Sequence, residues 1–360
     1  MKTTLTLILL ACLTAALTFG AATDSLKAGK ADLKSAGPLA FGPDGVLFVG
    51  DSTSALLFAL DTNDRACSGS NCAGAVNIAI TQVNQKIAAM LGTAADQILV
   101  NDLVVNPISK NVYISVSRGR GPDAIPVIVK VDRTGKLSEM ALDNIKHASI
   151  AISNAPAASD RNRQQAITDI AFLNGSVMVA GLSNEEFSSN LRSIPFPFTT
   201  AGKGASVEFY HGSHARFETN SPVRTFLPFT INNQDYVLAA YTCTPIVKIP
   251  VSDLKAGAKI MGTTIAELGA GNRPLDMISY KKNGHDYILM ANSDRGVMKL
   301  DAANLGQYKA ITAPTDIAGV PYQTMSDWKN VTQLEKVDDA TAVILSGTAG
   351  NMDLKTLALP

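Results

Sequence analysis

The chain has 360 residues, 31 basic and 31 acidic side chains, and only 17% charged residues. These values exclude a mostly disordered chain and a nucleic-acid-binding protein that relies on a strong basic field. The length fits two average domains or one large all-β domain, and a hydrophobic content of 46% is enough for a large core.

The first 22 residues have the pattern of a signal peptide. Lys2 supplies a basic start, residues 5–19 are apolar apart from threonines, and Gly20 to Ala22 offer small residues to signal peptidase. The pattern predicts cleavage after Ala22 and a secreted or periplasmic mature chain. Two alternatives stay open: a membrane anchor, for which the apolar stretch is short, and a lipoprotein modified at Cys12. No later stretch is long enough to be a transmembrane segment of the mature chain.

Residues 23–360 repeat one unit six times and are expected to form a single domain. Each unit has a short apolar strand, a turn rich in Gly, Asn and Asp, a second apolar strand, and a third strand that alternates. The unit recurs about every 59 residues between Leu39 and Leu334. Four of the third strands place a lysine between apolar residues: Lys130, Lys248, Lys299 and Lys355. The pattern predicts an all-β, six-bladed β-propeller, and seven blades stay open if the longer units hide another.

One short inserted helix is predicted over residues 81–91, where Val83, Ile87 and Leu91 share a face and Gly92 ends the helix. We expect it to lie on the channel-mouth face of the ring, either as packing or as a lid. The register of residues 182–222 is not determined by the pattern. One interpretation takes 182–204 as a long loop and 207–210 as the third strand of that blade.

Three cysteines remain after export. Cys67 and Cys72 flank a short, turn-rich segment, and in an oxidising compartment they are predicted to form a disulfide. A metal site there is less favoured, because no nearby His or Cys completes four ligands. Cys243 has no partner by this count and is predicted to be a buried free thiol.

Loops that precede the innermost strands, and loops between second and third strands, lie on one face of a propeller, over the channel. Ligand sites of propellers gather on this face. The predicted ligand-binding residues are Asn101, Asp102, Asp169, Arg224, Arg273, Asp276, Tyr241 and Cys243. Both signs of charge are present, which indicates a polar mouth. The alternative is that these side chains cap strands and bridge blades.

The segment Val-Asn-Asp-Leu-Val-Val-Asn-Pro, residues 100–107, resembles an innermost strand of the gluconolactonase, paraoxonase and strictosidine-synthase-like superfamily of six-bladed propellers. The resemblance implies that Asn101 is a channel ligand of Ca²⁺ or another divalent metal, with Asp169 and Asp276 as further candidates. Such a metal would polarise a lactone or ester carbonyl. The chain departs from the superfamily at Ala36, where a glutamate ligand is often found.

His211 and His214 are spaced as His-x-x-His, with Glu218 nearby. Such a pair can bind Zn²⁺ or Cu²⁺, and Cys243 is a possible soft ligand. The alternative is a pair of ordinary surface or strand-end histidines.

The sequence contains no phosphate-binding glycine loop, no nucleophile elbow and no haem attachment motif. The leading hypothesis is an exported binding or scaffold protein that uses the channel face for a small molecule or a protein partner, and not for nucleic acid. The alternative is a divalent-metal-dependent hydrolase of lactones or esters. A third hypothesis is a periplasmic oxidoreductase subunit. Bound Ca²⁺ would favour the hydrolase over the binding protein.

Overall fold

The computed structural model describes residues 21–66 and 74–360. Residues 1–20 of the expected signal peptide, with Cys12, lie outside the described residues, and so do Cys67 and Cys72. Cleavage, lipidation and the disulfide therefore remain predictions. None of the helices in the described ranges is long and apolar enough to cross a bilayer.

The described residues form 28 strands and one α-helix, α1 (Val83–Leu91). In chain order the strands are β1 (Lys27–Gly29), β2 (Leu39–Phe41), β3 (Val46–Asp51), β4 (Leu56–Asp61), β5 (Ala79–Ile80), β6 (Ile98–Val105), β7 (Val112–Arg118), β8 (Ile125–Val131), β9 (Leu137–Glu139), β10 (Ile145–Ala151), β11 (Asp169–Leu173), β12 (Ser176–Leu182), β13 (Ser189–Pro195), β14 (Ala205–His211), β15 (Arg216–Glu218), β16 (Thr225–Ile231), β17 (Gln234–Ala240), β18 (Pro245–Pro250), β19 (Lys259–Met261), β20 (Thr263–Leu268), β21 (Pro274–Lys282), β22 (His285–Asn292), β23 (Gly296–Asp301), β24 (Ile317–Gly319), β25 (Tyr322–Thr324), β26 (Val331–Lys336), β27 (Thr341–Thr348) and β28 (Asn351–Ala358). Short 3₁₀ helices cover Ala22–Ser25, Pro43–Gly45, Ala95–Gln97, Gly121–Asp123, Arg163–Gln165, Gly212–His214, Val251–Asp253 and Leu305–Gln307.

These strands form six sheets, which confirms the predicted six-bladed propeller. From the channel outwards, blade 1 is β2-β3-β4-β10-β1, and blade 2 is β6-β7-β8-β9. Blade 3 is β11-β12-β13-β14-β15, with β19 beside β14, and blade 4 is β16-β17-β18-β20-β24. Blade 5 is β21-β22-β23-β25, and blade 6 is β26-β27-β28-β5. The second strands are almost entirely buried, because both of their faces pack against neighbouring blades.

The order of the blades around the ring differs from their order along the chain. Each of six apolar clusters joins two blades, and together they join blades 1 and 3, 3 and 4, 4 and 5, 5 and 6, 6 and 2, and 2 and 1. The chain leaves blade 1, builds blade 2, and returns to add β10 to blade 1 before it starts blade 3. Blade 1 therefore lies between blades 2 and 3.

The ring is closed by the segment that leads into α1. In blade 6, β5 pairs with β28, so a strand from early in the chain completes the last sheet. Ile78 extends this pairing, because its carbonyl accepts a hydrogen bond from the Thr356 N–H at 2.9 Å. The helix lies where it was predicted, ends at Gly92, and packs with Val83, Ile87 and Leu91 into the cluster between blades 2 and 6.

The register of blade 3 corrects one interpretation of the sequence. Residues 182–204 are not one long loop, since β13 pairs with β12 along its full length as the third strand. The segment 207–210 belongs to β14, the fourth strand. The strand β13 could not be recognised from the sequence, because two polar residues within it, Asn190 and Arg192, are almost fully buried. Buried strand positions are usually apolar.

The lysine repeat of the third strands has a structural cause. Lys299 lies between buried Met298 and Leu300, and its ammonium group lies 4.1 Å from the centre of the Tyr287 ring on the neighbouring strand. Lys248 lies over Tyr236 in the same way, at 5.3 Å. The aliphatic part of each lysine thus covers apolar surface while the charge contacts an aromatic face.

Closure by residues 78–80 can be tested by truncating Ile78, which is 1% exposed in the cluster between blades 2 and 6. We expect Ile78→Ala to lower the free energy of unfolding by about 2–5 kcal/mol, because it leaves a cavity in the closing contact. Ile317→Ala is the matched control, since Ile317 is 65% exposed, and should change stability by less than about 0.5 kcal/mol. Equal effects in urea unfolding would contradict this account of closure.

Candidate functional site

Three aspartates converge on the channel between its two open ends. Each lies on an innermost strand: Asp169 is the first residue of β11 in blade 3, Asp276 the third of β21 in blade 5, and Asp102 the fifth of β6 in blade 2. All three line both a cavity of about 640 Å³ on the mouth side and one of about 590 Å³ on the opposite side. These residues, the carboxylate triad, therefore form the waist of the channel. Three predicted site residues are thus brought together.

Each member of the triad ties two blades together through main-chain hydrogen bonds. Its Oδ1 accepts the N–H of the next residue, at 2.7–2.8 Å. Its Oδ2 accepts the N–H of an innermost-strand residue in the adjacent blade. These donors are Leu39 for Asp102, Phe226 for Asp169 and Leu334 for Asp276, at 2.7, 2.7 and 2.8 Å. The bonds join blades 2 and 1, 3 and 4, and 5 and 6, which gives the waist an approximate threefold symmetry.

Two neutral side chains also bond to the aspartates. Gln333 lies between Asp102 and Asp276, and its amide, oriented to suit these neighbours, donates to their carboxylates at 2.9 and 3.0 Å. Thr225 gives Asp169 a further side-chain hydrogen bond. Gln333 was not among the predicted site residues, because a glutamine after a polar residue in a strand forms no recognisable motif. Alignment of its strand with the strands of Asp102 and Asp276 was the one signal in the sequence that pointed to this position.

The waist strongly disfavours negative charge. Burial raises the pKa of Asp169 to about 8, and the charge of Asp102 adds to this effect. Burial likewise raises the pKa of Asp102 to about 7 and that of neighbouring Glu335 to about 7. The pKa of Asp276 is also raised, first by burial and then by Asp102.

The mouth cavity has a basic wall above this waist. Arg120, Arg224 and Arg273 line it, together with Asn101 and Gln333. Burial, and then the positive charge of Arg273, lower the pKa of Arg224. Arg224 donates from Nε to Thr242 Oγ1 at 3.1 Å. Among the described residues, no carboxylate forms an ion pair with Arg224 or Arg273.

Asn101 has a different position from the aspartate that follows it. Its strand has a bulge between Val100 and Asp102, and its Nδ2 donates to the Ala36 carbonyl at 2.7 Å and to Ser117 Oγ at 2.9 Å. The side chain lines the mouth cavity while it fastens blade 2 to the segment that leads into blade 1. Its proposed role as a metal ligand stays a prediction.

Two of the predicted mouth residues lie away from the channel. Tyr241 is fully buried in the cluster between blades 3 and 4, with its ring 4.1 Å from that of Phe209. Cys243 follows in the turn between β17 and β18, at the outer part of the same face. There it meets His211 and His214, so that one possible ligand atom from each lies within 4.8 Å of the others. The sequence left the face of the histidines open, and the upward run of β14 places them on the mouth face.

The chain matches no established protein-family profile, and no curated protein matches its sequence. Solved structures with a similar course include a glucose dehydrogenase, 12% identical, with a TM-score of 0.41 over 93% of this chain and 98% of that one. The soluble aldose sugar dehydrogenase of Escherichia coli is 11% identical, with a TM-score of 0.36 over 93% of this chain and 99% of that one. The RS223 β-xylosidase is 12% identical, with a TM-score of 0.37 over 74% and 93%. At these identities the likeness concerns the propeller fold alone.

The raised pKa values predict that the protein loses stability as the pH rises. Between about pH 4 and pH 8 the folded triad and Glu335 retain protons that the unfolded chain has lost, so the free energy of unfolding falls with pH. The slope per retained proton is at most about 1.4 kcal/mol per pH unit. Glu218, whose pKa is lowered by the histidines beside it, acts oppositely below its ordinary value of 4.5. We therefore expect a stability maximum near about pH 4 and a steady loss of stability above it.

Urea unfolding at pH 5, 6, 7 and 8 measures this dependence. Asp169→Asn removes one titrating group and should flatten the slope, although it also lowers stability at every pH. Asp235→Asn, in the exposed β16–β17 turn region, is the control and should leave the slope unchanged. Stability that is constant or rises over this range in the wild-type chain would contradict protonated carboxyls at the waist.

Proposed function

We propose that the chain is an exported β-propeller binding protein whose mouth cavity takes a small anionic molecule. The observation that carries the proposal is the pair Arg224 and Arg273. Two guanidinium groups lie close enough for one to lower the pKa of the other, on the wall of a cavity, without an ion pair to any described carboxylate. An anion placed between them would relieve their repulsion and restore charge balance.

The floor of the cavity suits the same kind of ligand. The carboxylate triad has raised pKa values, so near neutral pH part of it is uncharged and repels an anion less than three ionised carboxylates would. Asn101 and Gln333 add neutral polar groups to the wall. A cavity of about 640 Å³ accommodates a molecule of metabolite size. A carboxylate or phosphate group at the arginines, with hydroxyl groups towards the floor, satisfies these features together.

Export is the second part of the proposal. It is supported by the basic start, the apolar stretch and the small residues that end at Ala22. Binding of a small anion outside the cytoplasm needs no catalytic group, and a rigid ring with loops on one face suits this role. The proposal does not involve nucleic acid, since the paired arginines form a local site in a chain without net charge.

Calorimetric titration with citrate and inorganic phosphate as probes tests the anion site. Arg224→Ala and Arg273→Ala should each weaken binding roughly tenfold to a hundredfold, because each removes charge-assisted hydrogen bonds worth about 1.5–3 kcal/mol. Arg65→Ala is the matched control: Arg65 pairs with Asp61 at the opposite end of its blade. It should leave affinity unchanged.

Added salt should weaken binding in the wild-type chain and weaken it less in Arg273→Ala. The anion site is refuted if neither a tricarboxylate nor phosphate binds the wild-type chain at millimolar concentration. Equal affinity in the wild-type chain and both mouth variants would refute it as well, since binding would then lie elsewhere.

The convergence of three carboxylates favours one alternative, a divalent-metal-dependent hydrolase of lactones or esters. Asp102, Asp169 and Asp276 offer the hard oxygen ligands that Ca²⁺ prefers, and a bound cation would hold their protons off. Such a metal would polarise a substrate carbonyl. Both oxygens of each aspartate, however, already accept a main-chain N–H, which favours the structural role.

The melting temperature with and without Ca²⁺ separates the two hypotheses. We expect Ca²⁺ to leave the melting temperature of the wild-type chain unchanged. The hydrolase hypothesis requires a higher melting temperature with Ca²⁺, which corresponds to about 2.7 kcal/mol of added stability at a hundredfold excess over Kd. This rise should be absent in Asp169→Ala and present in the Asp235→Asn control. A rise with that pattern would overturn the ranking.

A further inference from the structure

We propose that His211, His214 and Cys243 form a binding site for a thiolate-preferring transition metal ion, Zn²⁺ or Cu²⁺. The site lies on the outer part of the mouth face, between blades 3 and 4, and is separate from the anion cavity. Possible ligand atoms of the three residues lie within 4.8 Å of one another. A tetrahedral site with bonds of about 2.0–2.3 Å needs them about 3.5 Å apart, so small side-chain rotations complete it.

Three separate elements bring the ligands together. His211 is the last residue of β14, and His214 ends the 3₁₀ turn that follows, so their ring centres lie 3.9 Å apart with the ring planes tilted by 38°. Cys243 comes from the turn between β17 and β18 in the next blade. The spacing His-x-x-His is therefore completed by a residue that is distant in sequence.

A buried carboxylate orients the exposed histidine. His214 donates from Nδ1 to Glu218 Oε1 at 2.6 Å, which fixes the tautomer and leaves Nε2 as the free lone pair. Metal-bound histidines commonly donate their other nitrogen to a carboxylate in this way. Glu218 is held by Ser221, whose hydroxyl donates to Oε2. Glu218 is thus a positioning residue, and its charge also offsets that of the ion.

His211 has coordination capacity that the protein does not use. It is 1% exposed, and its Nε2 lies 3.0 Å from the Ser213 hydroxyl. Its Nδ1 lies 3.2 Å from Glu218 Oε1 but in a direction that makes no proper hydrogen bond. A buried ring nitrogen without a partner costs free energy unless something binds it. A metal ion at the cluster would be such a partner. Solvent reaches the site past His214 and Cys243, which are only partly covered.

The turn that carries Cys243 holds a costly conformation. Cys243 and Thr244 have φ values of 65° and 62°, in the left-handed region that residues with a side chain rarely adopt. Two hydrogen bonds to the segment between β20 and β21 hold this turn. The Cys243 N–H donates to the Asn272 carbonyl at 2.7 Å, and Thr244 Oγ1 donates to the Gly269 carbonyl at 2.9 Å. These bonds fix the main chain so that the thiol reaches the histidines.

The donor set determines the class of metal. Two imidazoles and one thiolate suit Zn²⁺ and copper, whereas Ca²⁺ and Mg²⁺ require oxygen ligands. Binding converts the Cys243 thiol to a thiolate and releases its proton to solvent. Three protein ligands leave a fourth position open to water, which is typical of zinc sites that are not purely structural.

The test uses the full chain, purified without metal and kept reduced, and titrated separately with Zn²⁺ and Cu²⁺. We expect one ion per chain, a higher melting temperature, and protection of Cys243 from alkylation by iodoacetamide, followed by peptide mass mapping. Co²⁺ in place of Zn²⁺ should give thiolate charge-transfer absorption. His214→Ala and Cys243→Ser should each weaken Zn²⁺ binding by about a hundredfold or more.

Matched variants separate this site from other sources of binding. His285→Ala changes an exposed histidine on β22, and the double change Cys67→Ser with Cys72→Ser removes two further cysteines. Both variants should bind Zn²⁺ as the wild-type chain does. Arg224→Ala should also keep it, so failure of the anion site leaves this test intact. The proposal is overturned if His214→Ala and Cys243→Ser bind Zn²⁺ like the wild-type chain. It is also overturned if Cys243 alkylates equally fast with and without metal.

Discussion

The carboxylates at the waist bond to main-chain groups that are left without a strand partner at the centre of a propeller. The innermost strands converge there, and the main-chain N–H groups on their open edge have no further strand to bond with. In this chain Asp102, Asp169 and Asp276 each bond one such N–H in their own blade and one in the next. Three side chains thereby set the spacing of all six innermost strands, and everything placed on the mouth face depends on that spacing.

These bonds fix geometry more than they add stability. A hydrogen bond to an ionised group is worth about 1.5–3 kcal/mol, but burying each ion costs several kcal/mol. The raised pKa of Asp169, about 8, expresses this balance. Protonation removes the repulsion among the three carboxylates, but a protonated carboxyl group accepts hydrogen bonds less strongly. A partly protonated floor under two arginines then gives the channel a polarity along its axis that suits the proposed anion.

The features that depend on local alternation of apolar and polar residues could be predicted from the sequence. The features that depend on contacts between residues distant along the chain could not. The alternating strands and α1 follow from periods of two and 3.6 residues. The ring order could not be predicted, because β10 joins blade 1 only after blade 2 is complete, and no local pattern states that pairing. The strand β13 was hidden by Arg192, a buried charge inside it, and Gln333 acts only through the two aspartates that the fold brings beside it.

The two proposed sites lie on one face because the ring supplies the rigidity and the loops supply the chemistry. A turn between second and third strands contributes little to the six inter-blade cores, so it tolerates local strain that a core strand does not. The left-handed pair Cys243 and Thr244 lies in such a turn, while His211 ends a largely buried strand and His214 lies in the 3₁₀ turn after it. The proposed site has a thiol from a turn of blade 4 that faces two histidines at the end of blade 3. An ion bound there would join blades 3 and 4 at their rim, as the aspartates join blades at the centre.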